Sequence, residues 1–137
     1  MTVLLSGVQY RDVKLFRPDE LQNLFLSVKW IAGKHPEKLA VAMENSSSVF
    51  SAWDNDRLIG LINALDDGSM TVYVHFLLVH PDYQGKGIGK ELLKMMNDKY
   101  RDYLRVVLIA DENETGFYQN SGFELADGTK AMFINRF

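Results

Sequence analysis

Phe76-Leu-Leu-Val-His-Pro-Asp-Tyr-Gln-Gly-Lys-Gly-Ile-Gly-Lys-Glu-Leu-Leu93 decides how this chain is read: a buried strand runs into a glycine-rich turn that opens a helix. The apolar run through Val79, led in by the β-branched and aromatic residues Thr71, Val72, Tyr73 and Val74, predicts the strand. Pro81 ends it. From Ile88 the period changes, with Ile88, Leu92, Met95 or Met96 and Tyr100 recurring every three or four residues, while Lys90, Glu91, Lys94 and Asp98 fall elsewhere. That spacing predicts an amphipathic helix.

Between strand and helix, Gly85, Gly87 and Gly89 alternate with Lys86, Ile88 and Lys90, which leaves backbone N–H groups uncrowded where the helix begins. First-turn donors lack intrahelical partners and the helix dipole is positive there, so the turn is a cradle for phosphate, with Lys86 and Lys90 adding charge of the right sign. Two common phosphate-binding patterns fail. A P-loop needs Gly where Gln84 stands and Ser or Thr where Glu91 stands; the dinucleotide fingerprint, started at Gly85, needs Gly at Lys90. What remains is Gln84-x-x-Gly87-x-Gly89 behind Val79-His80-Pro81.

Working outward, residues 3 to 14 (Val3, Leu4, Leu5, Val8, Tyr10, Val13) alternate roughly and predict a first strand. Pro18-Asp19-Glu20 opens a helix to about residue 29, and Pro36-Glu37 opens a second that ends at Asn45. Residues 49–53 and 58–64 read as strands joined by the polar turn Asp54-Asn55-Asp56-Arg57, and Asp66-Asp67-Gly68-Ser69 turns the chain into the central strand. Alternation on that strand places Tyr73, His75 and Leu77 on one face and Val72, Val74 and Phe76 on the other. Leu104–Ala110 predicts another strand. Asp111 and Glu114 have capping-box spacing for a short helix, and residues 123–125 and 131–134 predict a terminal hairpin around Asp127-Gly128.

With 137 residues, 47% of them apolar and 24% charged, the chain is expected to form one domain over 1–137 with its own core. A net charge of -3 without a Lys/Arg block argues against a nucleic-acid surface, and no apolar stretch approaches a bilayer span. A cytoplasmic protein is expected. Zero cysteines exclude disulfides, thiolate metal sites and a cysteine nucleophile, and His35, His75 and His80 form no spaced ligand pair, so no metal is expected.

The Gln84-x-x-Gly87-x-Gly89 turn closely resembles the acetyl-CoA motif Q/R-x-x-G-x-G/A of the GNAT superfamily of N-acetyltransferases, and the order β-α-α-β-β-β-α-β-α-β-β resembles that family's arrangement over nearly the whole chain. The resemblance implies an α+β three-layer fold, with a mixed, mostly antiparallel sheet of about six or seven strands flanked by about four helices. It also implies acetyl-CoA as donor: its pyrophosphate on the turn of Gln84, Gly85, Lys86, Gly87, Ile88, Gly89 and Lys90, and its pantetheine arm along Leu77, Leu78 and Val79.

Phe117-Tyr118-Gln119-Asn120-Ser121-Gly122-Phe123 is similar to the family's F-Y-x-x-x-G-F segment, which implies that Tyr118 protonates the departing thiolate. An Asn that often precedes the tyrosine by seven residues is Asp111 here; Asn113 stands near but out of step as a cofactor contact. In the arylalkylamine acetyltransferases a histidine at the position of His75 is implicated in taking the amine proton, a task that suits an ordinary pKa of about 6.5. A water chain is the alternative base. Trp30, between the first two helices, and Tyr73 are expected at the acceptor cleft. The implied reaction is direct transfer of acetyl to a primary amine, most simply a small molecule. A protein lysine or N-terminus, or a non-catalytic acyl-CoA-binding protein, are the rivals, and a homodimer through the terminal strands is a family-level expectation.

Overall fold

The computed structural model describes residues 7–137, so Val3, Leu4 and Leu5 of the expected first strand lie outside the described residues. The elements are β1 (Val8–Arg11), α1 (Pro18–Ser27), a 3-10 turn (Ile31–Lys34), α2 (Pro36–Asn45), β2 (Ser48–Asp54), β3 (Arg57–Asp66) and β4 (Thr71–Val79). A 3-10 turn (Pro81–Tyr83), α3 (Ile88–Lys99), β5 (Arg105–Leu108), a third 3-10 turn (Glu112–Glu114) and α4 (Thr115–Gln119) follow. None of the described helices is long and apolar enough to cross a membrane.

The sheet has the order β1-β2-β3-β4-β5, antiparallel except for the parallel β4–β5 pair. Two apolar clusters cover its two faces. On one, α3 lays Ile88, Leu92, Leu93 and Met96 against Phe50, Ile59, Ile62, Val72 and Val74. Each of those helix side chains is fully buried, a gain of roughly 1.5–3 kcal/mol apiece. Close approach depends on Gly60, where a Cβ would stand 3.3 Å from both Ile88 and Leu92. On the other face α1 and α2 contribute Leu21, Leu24, Phe25, Leu39 and Met43 against Val49, Leu61 and Leu78.

Several sequence expectations are corrected. The terminal hairpin does not form: residues 123–137 hold no strand, and the sheet has five described strands rather than six or seven. The segment 131–134 is apolar in every residue yet lies uncovered: Met132, Phe133 and Ile134 are 90%, 72% and 81% exposed. Asp111 precedes the 3-10 turn without a side-chain cap, so the capping box is absent, and Glu114 instead leads into α4.

The third correction concerns faces. Ile62 pairs with Leu77 and Ala64 with Val74, so His75 and Phe76 together oppose Asn63 in a β-bulge. The extra residue reverses the alternation. Val72 and Val74, then Leu77 and Val79, face the α3 side, whereas Phe76 and Leu78 join the α1–α2 side. Leu77 therefore does not share a face with Tyr73 and His75, and Phe76 does.

Candidate active site

Strand β4 is longer than its parallel neighbour. Pairing with β5 runs from Thr71–Arg105 to Val74–Leu108 and stops there, while β4 continues to Val79. The strands part at the bulge. Beyond it, Phe76 N–H donates to the Asn63 Oδ1 at 2.9 Å and His80 N–H to the Ile59 carbonyl at 2.8 Å, both on the β3 side. Backbone groups alternate along a strand, so Leu78 also directs its peptide into the β3 ladder, opposite Leu61. Leu77 and Val79 turn theirs to the open edge. Of the three residues expected along an extended ligand, Leu77 and Val79 thus face the gap and Leu78 does not.

At the end of this edge stands the glycine turn. Gly85 and Gly87 take φ of +75° and +85°, conformations that cost an L-residue a steric clash, and a Cβ on either would meet nothing within 4 Å. The surrounding space is open. Gly87 is the N-cap of α3 and provides no side-chain cap, so the first-turn N–H groups point outward unsatisfied by the helix. Gly89 has an ordinary φ and lies 3.6 Å, by its would-be Cβ, from the Phe117 ring. Lys86 is half-buried and Lys90 exposed, whereas the Ile88 side chain belongs to the core, leaving only its backbone to the turn. Gln84 turns back: its Nε2 donates to the Val79 carbonyl at 2.9 Å and ties the turn to the strand end.

Phe117 brings α4 over the start of α3, and Tyr118 follows it, half-buried among Phe117 and Phe123 at ring distances of 5.1 and 5.9 Å. Among the described residues its hydroxyl has no hydrogen-bond partner, so it is not consumed in capping backbone. Burial, and secondarily the Glu114 carboxylate, push its pKa up and keep it protonated.

His75 approaches from the opposite face. Its ring stacks on Phe76 at 3.8 Å and lies 5.4 Å from the half-buried Tyr73. Phe76 in turn touches Trp30 at 5.9 Å and Phe25 at 5.0 Å, so Trp30, Phe76, His75 and Tyr73 form one aromatic wall beside the gap. The imidazole keeps solvent access, yet its surroundings lower its pKa by desolvation, which favours the neutral, proton-accepting form.

Asn113 stands exposed on its 3-10 turn and Asp111 exposed just before it, and neither is drawn into this group by a hydrogen bond among the described residues. Among those residues, too, no cluster of three or more His, Asp or Glu side chains is arranged to hold a metal ion. The residue that sequence reading missed is Asn63. It is 1% exposed, and its Nδ2 donates to Ser46 Oγ at 3.1 Å while Oδ1 takes the Phe76 N–H. Only an unexplained polar residue inside the apolar run Leu58–Ala64 could have marked it.

The Acetyltransferase (GNAT) domain family matches residues 25–132 of this chain. An uncharacterized N-acetyltransferase, ycf52, of Pyropia yezoensis is 32% identical over 122 residues, 83% of this chain and 69% of the relative. A Glycine max protein named histone acetyltransferase TAP1 is 35% identical over 129 residues, 83% of this chain but 55% of its own length. Among solved structures, a GNAT family acetyltransferase of Streptococcus pneumoniae TIGR4 superposes with a TM-score of 0.81 at 30% identity, covering 94% of this chain and 98% of that one. With the splayed strand and the glycine turn already in place, these matches make the chain a member of the GNAT acetyltransferase family.

Proposed function

We propose that the chain moves the acetyl group of acetyl-CoA to a primary amine by direct attack within a ternary complex, with a small-molecule amine as acceptor. The observation that carries this reading is the open edge of β4 beyond the bulge, which leads from an aromatic wall holding the His75 imidazole to an uncapped glycine turn. Acetyl-CoA supplies an activated thioester and an anionic pyrophosphate, and the residues fit both demands. The N–H groups of residues 85–90, with Lys86 and Lys90, would hold the pyrophosphate, and the peptides of Leu77 and Val79 would pair with an extended arm.

Within that arrangement the Val79 or Leu77 N–H polarises the carbonyl that the amine attacks. His75, or water beside it, accepts the amine proton, and Tyr118 delivers a proton to the leaving sulfur. Acid and base sit on opposite faces of the sheet, so each serves one side of the gap. Trp30 and Tyr73 border the acceptor. A protein lysine or N-terminus is the second reading, favoured by the name of the soybean relative. A homodimer is proposed with either acceptor class, on the family resemblance alone.

The test is release of free CoA from acetyl-CoA over a panel of small amines and lysine peptides. Tyr118→Phe is expected to lower turnover by about 10²–10⁴-fold with acetyl-CoA binding retained. His75→Ala separates the imidazole from water as base. Saturable turnover of a small amine supports the first acceptor class, and activity confined to peptides the second. Acetyl-CoA binding with no CoA release across the whole panel would replace both with a binding protein.

A further inference from the structure

The glycine turn is a short span hung between two buried side chains. Tyr83 before it is 4% exposed and Ile88 after it 1%, and both belong to the apolar cluster under α3. Between them, Gly85 and Gly87 have no side chains to pack, and a Cβ on either would meet nothing within 4 Å. Apart from Gln84 Nε2 on the Val79 carbonyl, no side chain of residues 84–87 makes a hydrogen bond among the described residues. With so few contacts of its own, the span takes its position from its two ends.

The two ends are held differently. Ile88 is held by the apolar packing of α3 itself, whereas Tyr83 buries a phenol whose hydroxyl donates to Asp54 Oδ2 at 2.5 Å. Asp54 closes β2 and pairs with Arg57 across the turn into β3, so the partner comes from a distant part of the chain. The bond to Asp54, and secondarily burial, push the Tyr83 pKa up, and the donor keeps its proton. The same β2–β3 turn reaches this segment a second time. Arg57 Nη2 lies 3.1 Å from His80 Nε2, and its guanidinium stands 5.8 Å from the centre of the Tyr83 ring. Within the segment, His80 Nδ1 accepts the Asp82 N–H at 3.1 Å and the His80 carbonyl accepts the Tyr83 N–H at 2.8 Å, which ties residues 80–83 into one piece.

We infer that Tyr83 is a positioning residue for the cradle: through its bond to Asp54, the β2–β3 turn fixes where the N–H donors of the glycine turn stand. The ligand's identity rests on the acetyl-CoA reading above; the coupling of the two turns does not. Two glycines at positive φ make the span easy to reorient, so a released end must be ordered again on binding, and affinity falls. Because the pyrophosphate is far from the reacting bond, it is held alike before and during reaction. The loss therefore falls on KM for acetyl-CoA and not on kcat.

Calorimetric titration of acetyl-CoA into the wild type and a set of folded variants tests this. Tyr83→Phe keeps the ring in the core and is expected to weaken binding about tenfold, with KM raised alike and kcat within about twofold of wild type. Asp54→Ala should match it, and a variant carrying both changes should bind no more weakly than either alone. Asp54→Asn, which keeps an acceptor oxygen, should restore most of the affinity. Tyr100→Phe removes another core hydroxyl, at the far end of α3, and should leave the affinity unchanged. Wild-type affinity in Tyr83→Phe, additive losses in the double variant, or an equal loss in Tyr100→Phe overturns the proposal. Nitrogen-15 order parameters of residues 84–87 read the coupling without any ligand: they should fall from about 0.85 in wild type toward about 0.6 in Tyr83→Phe, and unchanged values overturn the proposal as well. A wild type that binds no acetyl-CoA refutes the acetyl-CoA reading, and the order parameters then decide the coupling by themselves.

Discussion

Asn63 shows how one buried amide sets the geometry of a site it does not line. At a β-bulge one N–H loses its ladder partner, and burying that group unpaired costs about 1–3 kcal/mol. Asn63 Oδ1 accepts it from Phe76, and Nδ2 passes the constraint to Ser46 Oγ, which donates to the Ala42 carbonyl at 2.7 Å near the end of α2. The bulge is thereby anchored to a helix on the α1–α2 side. Because each slip of one residue flips a strand's faces, losing the bulge would drive Phe76 out of its contact with Phe25 and Trp30. Asn63→Leu, of similar size but without the acceptor, is expected to destabilise the fold by about 1–3 kcal/mol in denaturant unfolding. Its CoA release should fall well below that of wild type when both are assayed fully folded. Unchanged turnover in the folded variant would mean that the amide serves stability only.

Element by element, the glycine turn separates backbone demand from space. Gly87 needs its positive φ, and its missing Cβ faces open surroundings, so Gly87→Ala is expected to cost about 1–2 kcal/mol through conformation alone. Gly89 lies inside α3 with ordinary φ and an ordinary contact to Phe117, so Gly89→Ala should leave stability unchanged or raise it by up to about 1 kcal/mol. Thermal unfolding distinguishes the two, and equilibrium binding of acetyl-CoA tells whether a methyl group at either place obstructs the cradle. Much of this element was legible beforehand, because Pro81, the three glycines and the helical period from Ile88 are local signals. Helices α1 and α2 were announced equally well by Pro18 and Pro36. The β4 bulge was not legible, since it depends on which β3 residue faces His75, a pairing between segments distant in sequence. The terminal strands failed for a related reason: their apolar pattern is strand-like, but a strand is made by pairing with a neighbour, and residues 123–137 form no such pairing. At the site, glycine spacing was readable in the sequence, whereas the turning of Gln84 back onto Val79 was not.

At the scale of the whole molecule, the end remote from the glycine turn is fastened by a polar knot. Tyr100, at the close of α3, donates to Asp66 Oδ2 at 2.6 Å, and its hydroxyl shares a 2.5 Å hydrogen bond with Ser48 Oγ on β2. Ser47 Oγ accepts the Asp66 N–H at 2.9 Å, so α3, β2 and the β3–β4 turn meet at one point. Burial, followed by the bond to Asp66, pushes the Tyr100 pKa up to about 12, while the same hydroxyl bond holds the Asp66 carboxyl below its usual value. The signs follow by linkage. Tyr100 holds its proton more tightly in the fold, so its contribution is complete below pH 10 and declines as pH rises from about 10 to about 12. Asp66, with its folded pKa depressed, contributes above its unfolded value of 3.8 and loses that contribution as pH falls through the folded value. Five other tyrosines, Tyr10, Tyr73, Tyr83, Tyr103 and Tyr118, also have raised pKa values and add their own alkaline slope, so the wild-type curve alone does not isolate Tyr100. The difference between wild type and Tyr100→Phe does. Denaturant unfolding at pH 7, 9 and 11.5 should find the variant less stable at pH 7 and 9 by about 1–3 kcal/mol, with Ser48 left without its acceptor. The gap should narrow at pH 11.5, where wild type loses what the variant never had. A gap that stays constant across the three pH values would show that the hydroxyl does not titrate with folding, and that α3 is held to the sheet by its apolar face alone.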